Sequence, residues 1–143
     1  RGNVETRLGK VASGEFDAVV LAEAGLRRIG LTHHIRTRFP VTEMVPAPAQ
    51  GALAVEAVSG SESAELLKAI DHAPTRIAVE AERSLLARTG AGCRAALGAL
   101  AAVEGDAITM HGFVEDERGA RRAQVRHSDS ARASLLLQEA LGL

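Results

Sequence analysis

The one cysteine of the chain, Cys93, lies in the small-residue sequence Gly90-Ala91-Gly92-Cys93-Arg94, which follows a predicted helix. A single thiol cannot form an intramolecular disulfide bond, so it is either a small buried hydrophobic residue or a reactive group. Three of its neighbours lack bulky side chains, which leaves the sulfur accessible. The guanidinium of Arg94 favours the thiolate when it points the same way. From these residues alone, a chemical role and a buried structural role are both open.

Two groups of arginines are candidates for binding an anion. Arg1 and Arg7 lie on either side of the start of a predicted helix, where free backbone N–H groups and the helix dipole already favour negative charge. Arg27 and Arg28 follow a predicted strand, near the carboxyl end at which ligands bind in open α/β sheets. Forked guanidinium groups suit an acidic ligand. The same arginines also fit a solvated helix face, so the residues leave both interpretations open.

Other chemical constellations are absent from the sequence. The chain has five histidines: His33, His34, His72, His111 and His127. None are paired at i, i+4, so we predict no metal site. A P-loop, a dinucleotide fingerprint and a nucleophile elbow are also missing. Glu80 and Glu82 lie two residues apart on a predicted helix and are interpreted as solvated surface. No acid is indicated as a general acid or base.

The composition narrows the setting. The 143 residues are 46% hydrophobic and carry a formal net charge of -1. Without a dense basic run, nucleic acid and anionic membrane are not expected as partners. No apolar stretch reaches the ~18 residues of a membrane span, and nothing resembles a signal peptide. A single cysteine outside any disulfide framework predicts a reducing, cytoplasmic location.

The first 43 residues predict a helix, a strand and a second helix. Asn3 is a good N-cap, and Gly14 ends the first helix. Residues 17–22 are apolar on both faces, which predicts a buried strand of a parallel sheet. A short helix is expected over 23–29. This order is typical of half of a doubly wound α/β domain.

The middle of the chain predicts an extended crossover between lobes. Pro40, Pro46 and Pro48 fix φ and restrict the residues before them, so this stretch should be free of helix. Residues 52–58 look like a strand. A boundary is expected near 59–61.

The remainder predicts a small α+β unit. Ser61 caps one helix, and Pro74 begins a second helix that Gly90 ends. The apolar side of the second helix comprises Ile77, Ala81 and Leu85. Strands are expected over 97–104, 107–114 and 120–127, with Gly105-Asp106 as a hairpin turn between the first two.

A last helix completes this unit. Its predicted N-cap is Ser128 or Asp129. Its apolar side comprises Ala133, Leu136, Leu137, Ala140 and Leu141. Three antiparallel strands packed by helices make an economical small domain.

Four blocks of the sequence carry a resemblance to a known family. They are RGNVETRLGKVASGEFDAVVLAEAGLRRIGL, VPAPAQGALAVE, VEAERSLL and GAGCRAALGA. In order and spacing they resemble porphobilinogen deaminase (hydroxymethylbilane synthase), and the match runs essentially from Arg1 to Leu143. Each block alone is weak, but the four together are highly specific.

The resemblance implies a transferase of tetrapyrrole (heme) biosynthesis. The family condenses four porphobilinogen molecules into linear hydroxymethylbilane, with release of ammonia, on a dipyrromethane cofactor. Cys93 matches the cysteine that holds this cofactor through a covalent thioether. The residues that match cofactor- or substrate-binding positions are Arg1, Gly2, Asn3, Arg7 and Arg28. The expected partners are therefore porphobilinogen and its oligomers.

The resemblance also implies a domain organisation of mixed α/β and α+β class. Residues 1–43 match the later part of a doubly wound second lobe, and 44–58 match the strand that returns to the first lobe. Residues 59–143 match the C-terminal cofactor-attachment domain, with a three-stranded antiparallel sheet packed by helices. The first lobe, with the family's catalytic aspartate, would lie before Arg1. We therefore expect no catalytic acid here, a partner role for the missing lobe, and an isolated chain that is inactive.

The sequence departs from the family pattern at two places. The attachment loop reads Gly-Cys-Arg-Ala-Ala-Leu-Gly where the family often has Gly-Cys-Gln-Val-Pro-Ile-Gly. Ala49 replaces a glycine that commonly precedes Gln50. Two alternative functions remain: an anion-binding α/β module, and an assembly fragment without catalysis. The first alternative does not need Cys93, and the second would pair with a separate chain that carries the first lobe.

Overall fold

A computed structural model describes residues 2–90 and 96–143 of the chain. The chain forms two compact units, Arg1–Phe39 and Pro40–Leu143. The boundaries expected after residues 43 and 58 stay predictions about the intact family fold.

The first unit contains two short helices. Helix α1 spans Val4–Ala12 and helix α2 spans Glu23–Arg28, followed by a 3-10 turn at Thr32–His34. The Asn3 side chain accepts a hydrogen bond of 2.8 Å from the amide of Thr6, which confirms the predicted N-cap. Both predicted helices are confirmed.

The strand predicted over residues 17–22 is wrong for this structure. The segment is extended, but it pairs with no neighbouring strand among the described residues. Val20 in its centre is 60% exposed. A strand is held by the N–H and C=O groups of the strand beside it. An apolar run therefore remains an unpaired segment where no such neighbour is present.

The strand predicted over 52–58 is wrong for the same reason. This segment follows a turn and carries no sheet pairing in the described structure. Leu53 is 90% exposed and Val58 is 79% exposed. The preceding crossover residues are free of helix, as the prolines predict.

Three helical segments precede the sheet of the second unit. Helix α3 spans Glu62–Leu67 and continues into a 3-10 turn at Lys68–Ile70. Ser61 caps α3 by accepting from the amide of Ala64 at 3.2 Å, as predicted. Helix α4 spans Ala73–Thr89, one residue earlier than expected at its start.

The sheet has three antiparallel strands in the order β1-β2-β3. Their bounds are Ala96–Glu104 for β1, Ala107–Asp116 for β2 and Gly119–His127 for β3. The two-residue turn between β1 and β2 is confirmed, with Gly105 at a φ of 59°. All three predicted strands are therefore present, each slightly longer than expected.

Helices α4 and α5 cover one face of this sheet. Helix α5 spans Ser130–Leu141, and of the two predicted caps Asp129 is the one that accepts, from the amide of Arg132 at 2.6 Å. The core between helices and sheet comprises, among its fully buried residues, Leu85, Met110, Leu137 and Leu141. Ala140, predicted on the apolar side, is exposed. Ser134 of the same helix is fully buried although it is polar, and its hydroxyl accepts from Arg88 on α4.

Candidate functional site

The start of α1 brings together three of the predicted site residues. The Nε atom of Arg7 donates to the carbonyl oxygen of Gly2 at 2.9 Å. Asn3, the residue after Gly2, is the N-cap of α1. Gly2 has a φ of 149°, and a Cβ there would lie 3.0 Å from the Cγ2 atom of Thr6. Glycine therefore lets the chain turn tightly into α1. The two terminal nitrogens of Arg7 have no partner among the described residues.

The structure distinguishes the two arginines at the end of α2. Arg27 donates from Nε to the Glu23 carboxylate at 2.7 Å, and Arg38 donates to the same carboxylate at 3.0 Å. Hydrogen bonds from Arg38 and Arg27 lower the pKa of Glu23. Arg28 is exposed and makes no hydrogen bond or ion pair within the described parts of the chain. Its guanidinium is thus available to a ligand, whereas that of Arg27 is occupied.

Helices α1 and α2 approach each other at a small residue. A Cβ on Gly25 would lie 3.9 Å from the Cγ2 atom of Val4. Arg7 and Arg28 each follow this contact by three residues, a rise of about 4.5 Å along each helix. The helices that carry Arg7 and Arg28 therefore pack against each other at this contact.

Two of the predicted site residues, Arg1 and Cys93, lie outside the described residues. The elements next to Cys93 in sequence are described. Helix α4 ends at Gly90 in the left-handed conformation, with a φ of 62°, and β1 begins at Ala96. The predicted thioether at Cys93 stays a prediction.

Sequence reasoning missed one residue with a specific environment, Glu82 of α4. It was interpreted as solvated surface, but it is 4% exposed, so that prediction is wrong. Its Oε1 atom accepts from the amide of Ala101 at 2.7 Å, and its Oε2 atom accepts from the amide of Ala49 at 2.5 Å. Burial raises the pKa of Glu82, while these two backbone donors act in the opposite direction.

A signal for the burial of Glu82 was present in the sequence. The buried residues of α4 are Ala78, Ala81, Glu82 and Leu85. Their spacing of i, i+3, i+4 and i+7 is the pattern of one helix face turned to a core. An acid at the i+4 position of such a pattern requires hydrogen-bond donors, since an unpaired buried charge is very costly.

The described residues contain neither a cluster of metal ligands nor a membrane-spanning helix. No group of three or more His, Cys, Asp or Glu side chains there is arranged to hold a metal ion. No helix in the same part of the chain is both long and apolar enough to cross a membrane.

Comparison with known proteins gives consistent matches along the chain. Residues 1–66 match the family described as porphobilinogen deaminase, dipyromethane cofactor binding domain, and residues 76–141 match porphobilinogen deaminase, C-terminal domain. The porphobilinogen deaminase of Thermobifida fusca is 50% identical over 135 residues, which is 93% of this chain and 39% of that protein. The enzyme of Mycobacteroides abscessus is 48% identical over 137 residues, 94% of this chain and 44% of that protein.

These matches place the arginine-bearing first unit and the Cys93 sequence in two domains of one family. The chain spans roughly two fifths of the length of the relatives it matches, at 39% and 44%. Together the two domain matches leave only residues 67–75 and 142–143 outside. The chain belongs to the porphobilinogen deaminase family.

Proposed function

We propose that this chain takes part in the condensation of four porphobilinogen molecules into hydroxymethylbilane, as part of a transferase of tetrapyrrole biosynthesis. The observation that supports this most directly is the difference between Arg27 and Arg28. Of two adjacent arginines, the one that matches a family ligand-binding position is unpaired. The neighbouring one is held by Glu23.

The chemistry of the substrate fits such arginines. Each pyrrole ring of porphobilinogen carries an acetate and a propionate, so the growing product gains two carboxylates with every ring. A guanidinium binds a carboxylate with two parallel hydrogen bonds. Arg28 and the terminal nitrogens of Arg7 are open for this geometry. We propose Arg1, Gly2, Asn3, Arg7 and Arg28 as cofactor- and substrate-binding residues.

The cysteine supplies a different function. When bound, a dipyrromethane provides the acceptor to which incoming pyrroles are added. We propose that the Cys93 thiolate forms a C–S bond to a pyrrole methylene carbon whose C–N bond has broken with release of ammonia, since a thiolate is a strong nucleophile toward such an electrophilic carbon. The thioether then holds the growing chain, and the arginines hold its carboxylates. We also propose a cytoplasmic location, without nucleic-acid or membrane partners.

The test is the intact mass of a full-length enzyme that carries this sequence. We expect a mass increment equal to one dipyrromethane, and we expect Cys93→Ser to remove it, since an alcohol is too weak a nucleophile near neutral pH. Glu80→Gln, an exposed substitution on α4, serves as the matched control and should keep the increment. An active enzyme with an unmodified Cys93 would refute the proposed attachment. An unmodified Cys93 in a folded protein without activity would favour the anion-binding module.

A further inference from the structure

Three segments that are distant in sequence meet at the carboxylate of Glu82. Glu82 itself lies on α4, Ala101 lies on β1, and Ala49 lies in a turn of the crossover. The two carboxylate oxygens accept from the Ala101 and Ala49 amides at 2.7 Å and 2.5 Å. These are short, charge-assisted hydrogen bonds in a buried position, a geometry that strongly orders both donors.

The Glu82 carboxylate also accepts a hydrogen bond from the edge of the sheet that no described strand covers. Strand β1 is an edge strand, because β2 is its single neighbour among the described strands. Two amides of β1 find partners outside the sheet: Ala99 donates to the carbonyl of Pro46 at 2.8 Å, and Ala101 donates to Glu82. An edge with unpaired donors invites pairing with other chains. The crossover and Glu82 together occupy this edge.

The crossover turn is held in an unfavourable backbone conformation. Ala49 has a φ of 64° and is the one non-glycine residue with positive φ in the described structure. A side chain with a Cβ disfavours this left-handed region. Such a conformation persists where the surroundings impose it. Its carbonyl accepts from the Ala52 amide at 3.3 Å within the turn, and the hydrogen bond from its own amide to Glu82 is the contact that ties this conformation to α4.

We propose that Glu82 is a positioning residue whose carboxylate holds the crossover turn at Ala49 against α4 and β1. In sequence, α4 and β1 are the elements on either side of residues 91–95, which include Cys93. Glu82 thus ties the path of the crossover to the two elements that precede and follow Cys93 in the sequence. The inference rests on contacts within the second unit and not on any tetrapyrrole chemistry, so it can fail independently of the proposed function.

Backbone amide hydrogen exchange in the 143-residue chain tests this proposal. In the unmutated chain the Ala49 amide should exchange slowly, although it lies in a turn, because its partner is a buried carboxylate. Fast exchange of this amide would overturn the proposal without any mutation. In Glu82→Gln the side chain keeps one acceptor and gains a donor, so one amide must lose its partner. We expect exchange at Ala49 or Ala101 to accelerate roughly 10- to 100-fold, the equivalent of one hydrogen bond to a charged group.

The matched control is Glu80→Gln on the same helix. Glu80 is exposed and lies 3.5 Å from Arg76, so its substitution should leave both amides unchanged. Equal acceleration in the two variants would show that loss of charge on α4, rather than the Glu82 contact, is responsible, and would overturn the proposal.

A second experiment uses Ala49→Gly, which removes the Cβ without removing the amide. With Glu82 present, the turn stays left-handed, so this substitution should raise the urea midpoint of unfolding. In the Glu82→Gln background the turn is free to relax, and the same substitution should give no increase. An equal increase in both backgrounds would show that Glu82 does not hold the turn. Should Glu82→Gln fail to fold, the exchange rate of Ala49 in the unmutated chain still decides the question.

Discussion

The carbonyl oxygen of Val45 lies 2.6 Å from the point where a Cβ on Gly98 would stand. Gly98 is buried on β1, and the next residue, Ala99, donates its amide to Pro46. The crossover therefore runs directly against the backbone of β1 at these positions. Glycine is required at residue 98 for this close approach, in which backbone meets backbone without a side chain between them.

We expect Gly98→Ala to displace the crossover from β1. A methyl group placed 2.6 Å from a main-chain oxygen must move that backbone, at a cost of about 1–3 kcal/mol in the free energy of unfolding. Urea unfolding measures the change. Ala102→Val is the control, because it adds more bulk at an exposed position of the same strand and should cost less than about 0.5 kcal/mol. A Gly98→Ala protein as stable as the parent would contradict this account.

The Asp116 carboxylate organises the C-terminal end of α5. It accepts from Arg121 and Arg118 at 2.8 Å and 3.0 Å, and these arginines also donate to the carbonyls of Leu141 and Gly142. Hydrogen bonds from Arg121 and then Arg118 hold the pKa of Asp116 well below its ordinary value of 3.8. The folded state therefore binds this proton less readily than the unfolded state does.

The sign of the resulting pH dependence follows from linkage. The stability that Asp116 contributes is present above pH 3.8, its ordinary pKa, and is lost as the pH falls toward its lowered folded-state value. When the free energy of unfolding is measured at decreasing pH, its decline at acid pH (the acid limb) should be less steep in Asp116→Asn than in the parent. Asp106→Asn, in the β1–β2 turn, should leave the limb unchanged. An unaltered acid limb in Asp116→Asn would show that its ion pairs contribute nothing to stability.

Glu82 should give a pH dependence of the opposite sign. Burial raises its pKa above the ordinary value of 4.5, so the folded state binds the proton more readily than the unfolded state. Its contribution to stability is complete below pH 4.5 and decreases as the pH rises through the raised folded-state pKa. Unfolding free energies measured upward from pH 4.5 should therefore slope downward in the parent and in Glu80→Gln, and less so in Glu82→Gln. A slope that Glu82→Gln leaves intact would assign it to another group.

Local signals in the sequence predicted most of the second unit. Ser61, Asp129 and the Gly105 turn act on their immediate neighbours, so their effects can be read over a few residues. The segments 17–22 and 52–58 were misread because an apolar run becomes a strand only when another strand lies beside it. That condition concerns the rest of the molecule and not the run itself.

In the candidate site too, local features could be predicted from sequence and contacts between distant residues could not. The pair Glu23 and Arg27 has i, i+4 spacing and is readable from sequence, which leaves Arg28 as the available cation. Glu82 was not predicted because its donors, Ala49 and Ala101, lie 33 and 19 residues away. The polarity of a single residue says nothing about such remote partners.

The two arginines at the end of α2 provide a sharp test of ligand binding. In a full-length enzyme that carries this sequence, Arg28→Lys should slow chain elongation by roughly tenfold or more, because lysine keeps the charge but loses the bidentate fork. Arg27→Lys is the matched control, since Arg27 is engaged by Glu23. Elongation is followed by the masses of enzyme-bound intermediates. Equal effects of the two substitutions, or loss of folding alone, would indicate a solvated face instead.

The last prediction concerns the 143-residue chain by itself, which we expect to give no hydroxymethylbilane. Its arginines and Cys93 are proposed to position a substrate, but a placed acid or base typically contributes a further 10²–10⁴-fold in rate. Among the described carboxyl groups, Glu82 is engaged by two amides and Asp116 by two arginines. Both carboxyl groups are therefore occupied by hydrogen bonds within the fold.

Porphobilinogen consumption and hydroxymethylbilane formation measure this directly, with the enzyme of Thermobifida fusca as the positive control. We expect the isolated chain to remain at the uncatalysed background, and Cys93→Ser to make no difference at that level. Turnover above background that Cys93→Ser abolishes would contradict the prediction. It would show that an acid within this sequence performs the proton transfer, and Asp and Glu substitutions would then identify it.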